Sequence, residues 1–299
     1  MPEKWHTPTF ASVAVFLAAA FWGLYWIPLR YIEDLGINGT WPVIFLNLPA
    51  ALALGGYILV HWERHRRHMP RAILIGIFTG AGYGLFSVGL LYSSVVRVTL
   101  LFYLTPIWGT LIGIVWLGDR AGWSRWLAIG GGLAGMGLLL SGGGSVPLNI
   151  GDLMGFVSGV AWAIGGALVM RYGEIPVAAS TFSQMLMTSL LALLTGLLVG
   201  GMTAPTLPQI ASALPVSLVM AFFMIIPTLL VVFWAQKILF PGRLGLLMMA
   251  EVMLTVLSAS ILLPEEAMSL VEWGGAILIV GACLIEVLAT PSDAKNTHA

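Results

Sequence analysis

Glu251 lies inside an apolar run that extends from Leu244 to Leu263. A carboxylate at the centre of a membrane helix costs about 2.5–3.5 kcal/mol on insertion scales, so an acid at that depth marks a functional position by default. Thr255 and Ser258 follow at i+4 and i+7, which puts three polar side chains on one helix face. Two readings stand at this point. In one, the stripe faces a watery cavity, where Glu251 meets a substrate ammonium or takes up a proton. In the other, a protonated Glu251 bridges two helices by hydrogen bonds.

Aromatic residues supply a second constellation. Trp22, Tyr25 and Trp26 crowd the first apolar segment, Tyr83 sits in the third, Tyr103 and Trp108 in the fourth, and Trp162 in the sixth. Trp41, Trp62, Trp116, Trp123, Trp126 and Trp273 suit the interfacial belts where membrane Trp concentrates. Tyr83, Tyr103 and Trp162 instead fall several residues inside their segments. At that depth, rings with a polar tip either line a cavity that stacks aromatic groups and attracts an ammonium, or pack between helices. Pro28, Pro106 and Pro227 remove backbone donors and can kink their helices. Pro106 shares a face with Tyr103 and Thr110, so carbonyls freed there could contact a substrate.

Other chemistries lack their residues. There is no G-x-x-x-x-G-K-[ST] loop and Lys occurs only at 4, 237 and 295, so the chain does not itself hydrolyse ATP. The five His occupy terminal or loop positions, and Glu251 has no second deep acid as a partner, which argues against an intramembrane enzyme. The single Cys283 excludes a disulfide framework and a cysteine metal site. No cofactor or metal is expected. His61, His65 and His68 accompany Arg64 to Arg71, a stretch best read as an anchor to anionic lipid.

The elements that must position these groups follow from composition. The 299 residues include 13 Lys+Arg and 13 Asp+Glu, only 9% charged, with mean hydropathy +0.97. A soluble domain is about a quarter charged, so the lipid bilayer is the solvent here. Zero net charge offers no basic face for nucleic acid. Apolar runs cover approximately 10–29, 41–60, 72–92, 98–117, 125–141, 152–170, 178–200, 212–236, 244–263 and 271–289. Backbone groups in hydrocarbon must be satisfied within the segment, so these runs are expected to be ten transmembrane helices. Placing both termini in the cytoplasm puts 11 of the 13 basic residues on that side and leaves only Arg30 and Arg97 outside. That asymmetry follows the positive-inside rule.

The ten segments divide into two related fives. Ala20, Arg30, Tyr31 and Glu33 recur as Ala161, Arg171, Tyr172 and Glu174, all at an offset of 141. An odd number of crossings forces the second copy upside down, and inverted repeats are a recurring construction of secondary transporters, with the substrate near the midplane between copies. The expected units are 1–145 and 146–299. Gly76, Gly80 and Gly84, and likewise Gly151, Gly155 and Gly159, recur at every fourth position and point to close helix packing.

This pattern resembles the drug/metabolite transporter superfamily: an inverted five-helix repeat, Trp22-Gly23 in the first helix, and Pro106 followed thirteen residues later by Asp119. Within it the chain is most similar to the ten-helix amino-acid exporters, the aromatic amino acid exporter group in particular. The resemblance implies an exporter in the bacterial inner membrane that alternates access between two bundles and binds an amino acid, with a monomer able to house the site. Asn47 stands where many members carry Arg in the second helix, and joins the candidate substrate contacts. Asp119 replaces a usual Glu, and Glu251 falls near a common Pro. A cavity of rings, hydroxyls and one acid suits an apolar zwitterion, and equally a flat organic cation as in multidrug efflux.

Overall fold

The computed structural model describes residues 8–117, 123–142, 148–235, 241–263 and 268–289, and every regular element in them is helical. The first crossing comprises α1 (Pro8–Trp22) and α2 (Trp26–Asp34). The second is α3 (Trp41–Val60), followed by the short α4 (Trp62–His65), and the third is α5 (Met69–Tyr92). The fourth comprises α6 (Val95–Phe102) and α7 (Thr105–Leu117), and the fifth is α8 (Trp123–Gly142). The sixth and seventh are α9 (Ile150–Arg171) and α10 (Val177–Val199). The eighth comprises α11 (Leu207–Met220), a π-helical turn (Ala221–Ile225) and α12 (Ile226–Ala235). The last two are α13 (Pro241–Leu262) and α14 (Leu270–Ala289).

Six crossings are long and apolar enough to span a bilayer by length and composition: Thr9–Asp34, Trp41–Val60, Met69–Tyr92, Ile150–Val169, Val177–Val199 and Leu207–Ala235. The fourth, fifth, ninth and tenth contribute shorter apolar helices. Exposed side chains such as Leu52, Leu59, Leu197 and Leu198 are those of a surface solvated by lipid.

Three apolar runs that read as single helices are interrupted, each about one turn before a proline. Pro28 has no N–H for the Leu24 carbonyl and its ring crowds that position. The chain answers with a tightened turn at Gly23 to Tyr25, where Leu24 N–H bonds Phe21 O at 3.1 Å and Tyr25 N–H bonds Trp22 O at 2.9 Å. Tyr103 and Leu104 separate α6 from α7, so that Pro106 enters at the second position of a new helix, where no N–H is needed. The π-helical turn ends two residues before Pro227 and lets the eighth crossing pass it as a bulge. Buried breaks need no polar residues to announce them, since neighbouring helices satisfy the freed groups.

The packing follows a two-fold pattern. The third crossing lies on the sixth and seventh as the eighth lies on the first and second, and the first lies on the ninth as the sixth lies on the fourth. The second packs on the seventh, the fourth on the ninth and the fifth on the tenth, each pair being counterparts. Crossings three, four, six and seven therefore form one group and one, two, eight and nine the other. The fifth and tenth stand beside them as a pair. Glycines set these approaches: a Cβ on Gly76 would lie 2.5 Å from Ser183 Cβ, on Gly155 3.1 Å from Val98 Cα, and on Gly135 2.8 Å from the Gly275 carbonyl.

A polar knot ties the first group at one end. Asn149 caps α9, accepting from Gly151 N–H at 2.8 Å and Asp152 N–H at 3.1 Å, while Asp152 accepts from Asn149 N–H at 3.2 Å. Ser93 donates to Asp152 at 2.6 Å, and Arg97 Nη1 lies 3.5 Å from the same carboxylate. Arg97 is thus buried against α9 rather than standing in an outer loop.

Candidate functional site

Gly23 determines how close the first and ninth crossings come. Its missing side chain leaves room for the backbone of α13: a Cβ there would lie 2.6 Å from Glu251 O and 3.1 Å from Thr255 N. The turn after α1 exposes the Gly23 carbonyl, which accepts from Thr255 Oγ1 at 3.0 Å. One turn further along both helices, Trp26 Nε1 donates to Ser258 Oγ at 3.0 Å. The hydroxyls of the α13 stripe are therefore spent on the first crossing, and Glu251 is left to face the other group.

There it meets Tyr103. The break between α6 and α7 projects this phenol across the seam, where its hydroxyl lies 2.6 Å from Glu251 Oε2 and 2.9 Å from the Met248 carbonyl. Both side chains are buried. Glu251, Thr255, Trp22, Gly23, Tyr25, Trp26, Phe86 and Leu90 line a crevice too narrow in this structure to hold a water molecule.

Three rings close one side of it. Trp22 and Tyr25 stack at 5.7 Å, and Tyr83 tilts against both, at 5.0 and 5.4 Å. Behind them, Ser87, Tyr83 and Asn47 surround the Tyr25 hydroxyl. Asn47 Nδ2 donates to that hydroxyl at 3.2 Å and to Val43 O at 2.8 Å. The Tyr83 hydroxyl and Ser87 Oγ are buried with the Tyr25 hydroxyl as their polar neighbour, and Asn47 Oδ1 is buried beside them.

The fold thus gathers Trp22, Tyr25, Asn47, Tyr83, Tyr103, Glu251, Thr255 and Ser258. It does not bring Trp108 or Trp162 into that crevice. Trp108 packs edge-on to Phe156 at 5.1 Å, and Trp162 edge-on to Phe102 at 6.1 Å with its backbone against Gly82. Trp162 is linked to the site through Phe102, which touches both Phe86 and Tyr103. Sequence reasoning passed over Ser87, Phe86 and Gln184. Gln184 is fully buried in α10 with neither amide atom bonded, beside buried Ser180, Thr181, Ser183 and Thr188. Its signal was a carboxamide in an apolar run, the neutral analogue of Glu251.

The model of the EamA-like transporter family matches residues 9–141 and again residues 149–288. The chain belongs to the EamA-like transporter family. It is accordingly a multi-pass membrane transporter of the drug/metabolite transporter superfamily, and the two matches correspond to its two five-helix repeats. No curated protein matches the chain at a significant level. A solved structure, described only as the crystal structure of a protein, is 18% identical, with a TM-score of 0.58 over 94% of this chain and 97% of that one. That likeness concerns the fold alone.

Proposed function

We propose that this EamA-like protein is a secondary transporter that exports amino acids with aromatic or other apolar side chains by alternating access. The substrate sits near the midplane between units 1–145 and 146–299. The observation that carries the reading is the buried meeting of Glu251 with Tyr103 beside the Trp22–Tyr25–Tyr83 rings. An apolar side chain finds ring faces there, and a zwitterion's polar end finds the polar cluster of Asn47, Tyr83 and Ser87. Glu251 either meets the ammonium or carries the coupling proton. Both termini are cytoplasmic in a bacterial inner membrane, as the basic residues sort, and a monomer holds the complete site.

A flat organic cation is the second reading, favoured by the same pairing of ring faces with a lone acid. Reconstitution into proteoliposomes, with and without a pH gradient, separates the two. Counterflow of tryptophan or phenylalanine is expected. Movement of a quaternary ammonium without amino-acid counterflow overturns the first reading in favour of the second. Glu251→Gln is expected to lower transport or abolish its pH dependence. Unchanged transport across pH leaves Glu251 as a hydrogen-bonding strut.

A further inference from the structure

The second and seventh crossings are symmetry counterparts that pack along one another between the two helix groups, yet the two ends of their seam are built differently. At one end Thr40 Oγ1, fully buried at the start of α3, donates to the Ala192 carbonyl of α10 and lies 3.8 Å from Met202 Sδ. Gly196 makes this possible, because a side chain there would occupy the space held by Thr40 Oγ1 and the Met202 sulfur. Gly39 precedes the clasp at φ 67°, with its own Cβ position 3.1 Å from Met202 Cα. On the same side Arg30 Nη2 donates to the Ser93 carbonyl at 3.5 Å, joining the first crossing to the third and so again one group to the other. At the opposite end of the seam, Gly55 of α3 faces the ring of Phe182, whose nearest carbon lies 3.0 Å from the Cβ position. Among the described residues no hydrogen bond joins α3 to α10 there.

We propose that Thr40, Ala192 and Gly196, reinforced by Arg30 and Ser93, form a gate that is shut in this structure. The Gly55–Phe182 end is a slip contact that parts without breaking a hydrogen bond. The inference rests on the alternating-access reading, and on the charge-based orientation for its further statement that the shut gate is the outer one. A chain resting in this state takes its cargo from the cytoplasm, as an exporter must.

The test needs no known substrate. In a Cys283→Ser background, Thr40→Cys with Gly196→Cys places two Cβ atoms about as far apart as the 3.4 Å between Thr40 Cβ and the Gly196 Cβ position. That is close to the ~3.5–4.5 Å a disulfide spans. Leu90→Cys in the crevice is the reporter, labelled with a membrane-impermeant maleimide in right-side-out and in inside-out vesicles. Under reducing conditions labelling from the gate side proceeds. Oxidation slows it at least tenfold, and dithiothreitol restores it. Failure of the disulfide to form, or labelling indifferent to it, overturns the gate. Protection confined to inside-out vesicles keeps the gate and overturns the orientation. As a second variant, Gly196→Ala with Leu90→Cys props the clasp apart and speeds labelling from the gate side; an unchanged rate likewise overturns the proposal.

Discussion

Gly23→Ala is the smallest change that tests how the site is held. The added methyl would stand 2.6 Å from Glu251 O, 3.0 Å from Leu254 Cβ and 3.1 Å from Thr255 N. Ordinary contact begins at 3.4 Å, so α1 and α13 must separate by up to 0.8 Å at this point. The Thr255–Gly23 hydrogen bond, 3.0 Å now, would then stretch beyond useful range. Overpacking costs about 1–3 kcal/mol, and the lost bond adds about 1 kcal/mol. The expected destabilisation is therefore about 2–4 kcal/mol. Gly56→Ala is the matched control, because nothing lies within 4 Å of its Cβ position and it sits exposed in α3. There alanine's better helix propensity is expected to leave stability unchanged or raise it by up to about 1 kcal/mol. Unfolding of both variants in mild detergent, followed by far-UV circular dichroism, gives the comparison. A Gly23→Ala protein as stable as Gly56→Ala would refute the claim that backbone approach at Gly23 sets the position of Glu251.

Three further outcomes are expected. Tyr103→Phe leaves Glu251 Oε2 without its partner and costs about 1–3 kcal/mol; the double-mutant cycle with Glu251→Gln, read by detergent unfolding, should show coupling of about 0.5–3 kcal/mol. Asp152→Ala strips the buried Arg97 of its counter-charge and costs about 3–5 kcal/mol, whereas Arg97→Leu costs less because Ser93 and Asn149 still satisfy the carboxylate; thermal unfolding of the two variants side by side decides it. Gln184→Met replaces an unbonded amide by an apolar side chain of similar volume and is expected to stabilise the fold by about 1–3 kcal/mol, measured by the same unfolding assay.

The crossings were legible in the sequence because lipid demands unbroken apolar stretches, and the runs at 41–60 and 178–200 coincide with α3 and α10 to within a residue. Glu251 was legible for the same reason, as a charge in such a stretch. The breaks at Gly23 and Tyr103 are signalled in the sequence only by Pro28 and Pro106 a few residues on, since hydropathy continues through a turn whose backbone is satisfied inside the protein. Arg97 reads in the sequence as one of two basic residues left outside, with nothing to link it to Asp152. Their pairing depends on the fourth and sixth crossings lying side by side, which no periodicity along one helix reports. The same holds for the rings: Trp22 and Tyr83 are 61 positions apart yet lie in contact, while the equally deep Trp162 faces a different neighbour. Gln184 went unremarked because a neutral amide leaves charge counts untouched.

The Thr255–Gly23 bond joins residues 232 positions apart. At roughly 5–20 residues per second, that separation means about 10–50 s of synthesis between the two partners. For all that time the first crossing sits in the membrane with its notch at Gly23 unfilled and the indole of Trp26 without Ser258. A chain cut short before α13 would keep that notch open permanently. Newborn and truncated molecules thus display the same unfinished face, and the arrival of the ninth crossing completes it.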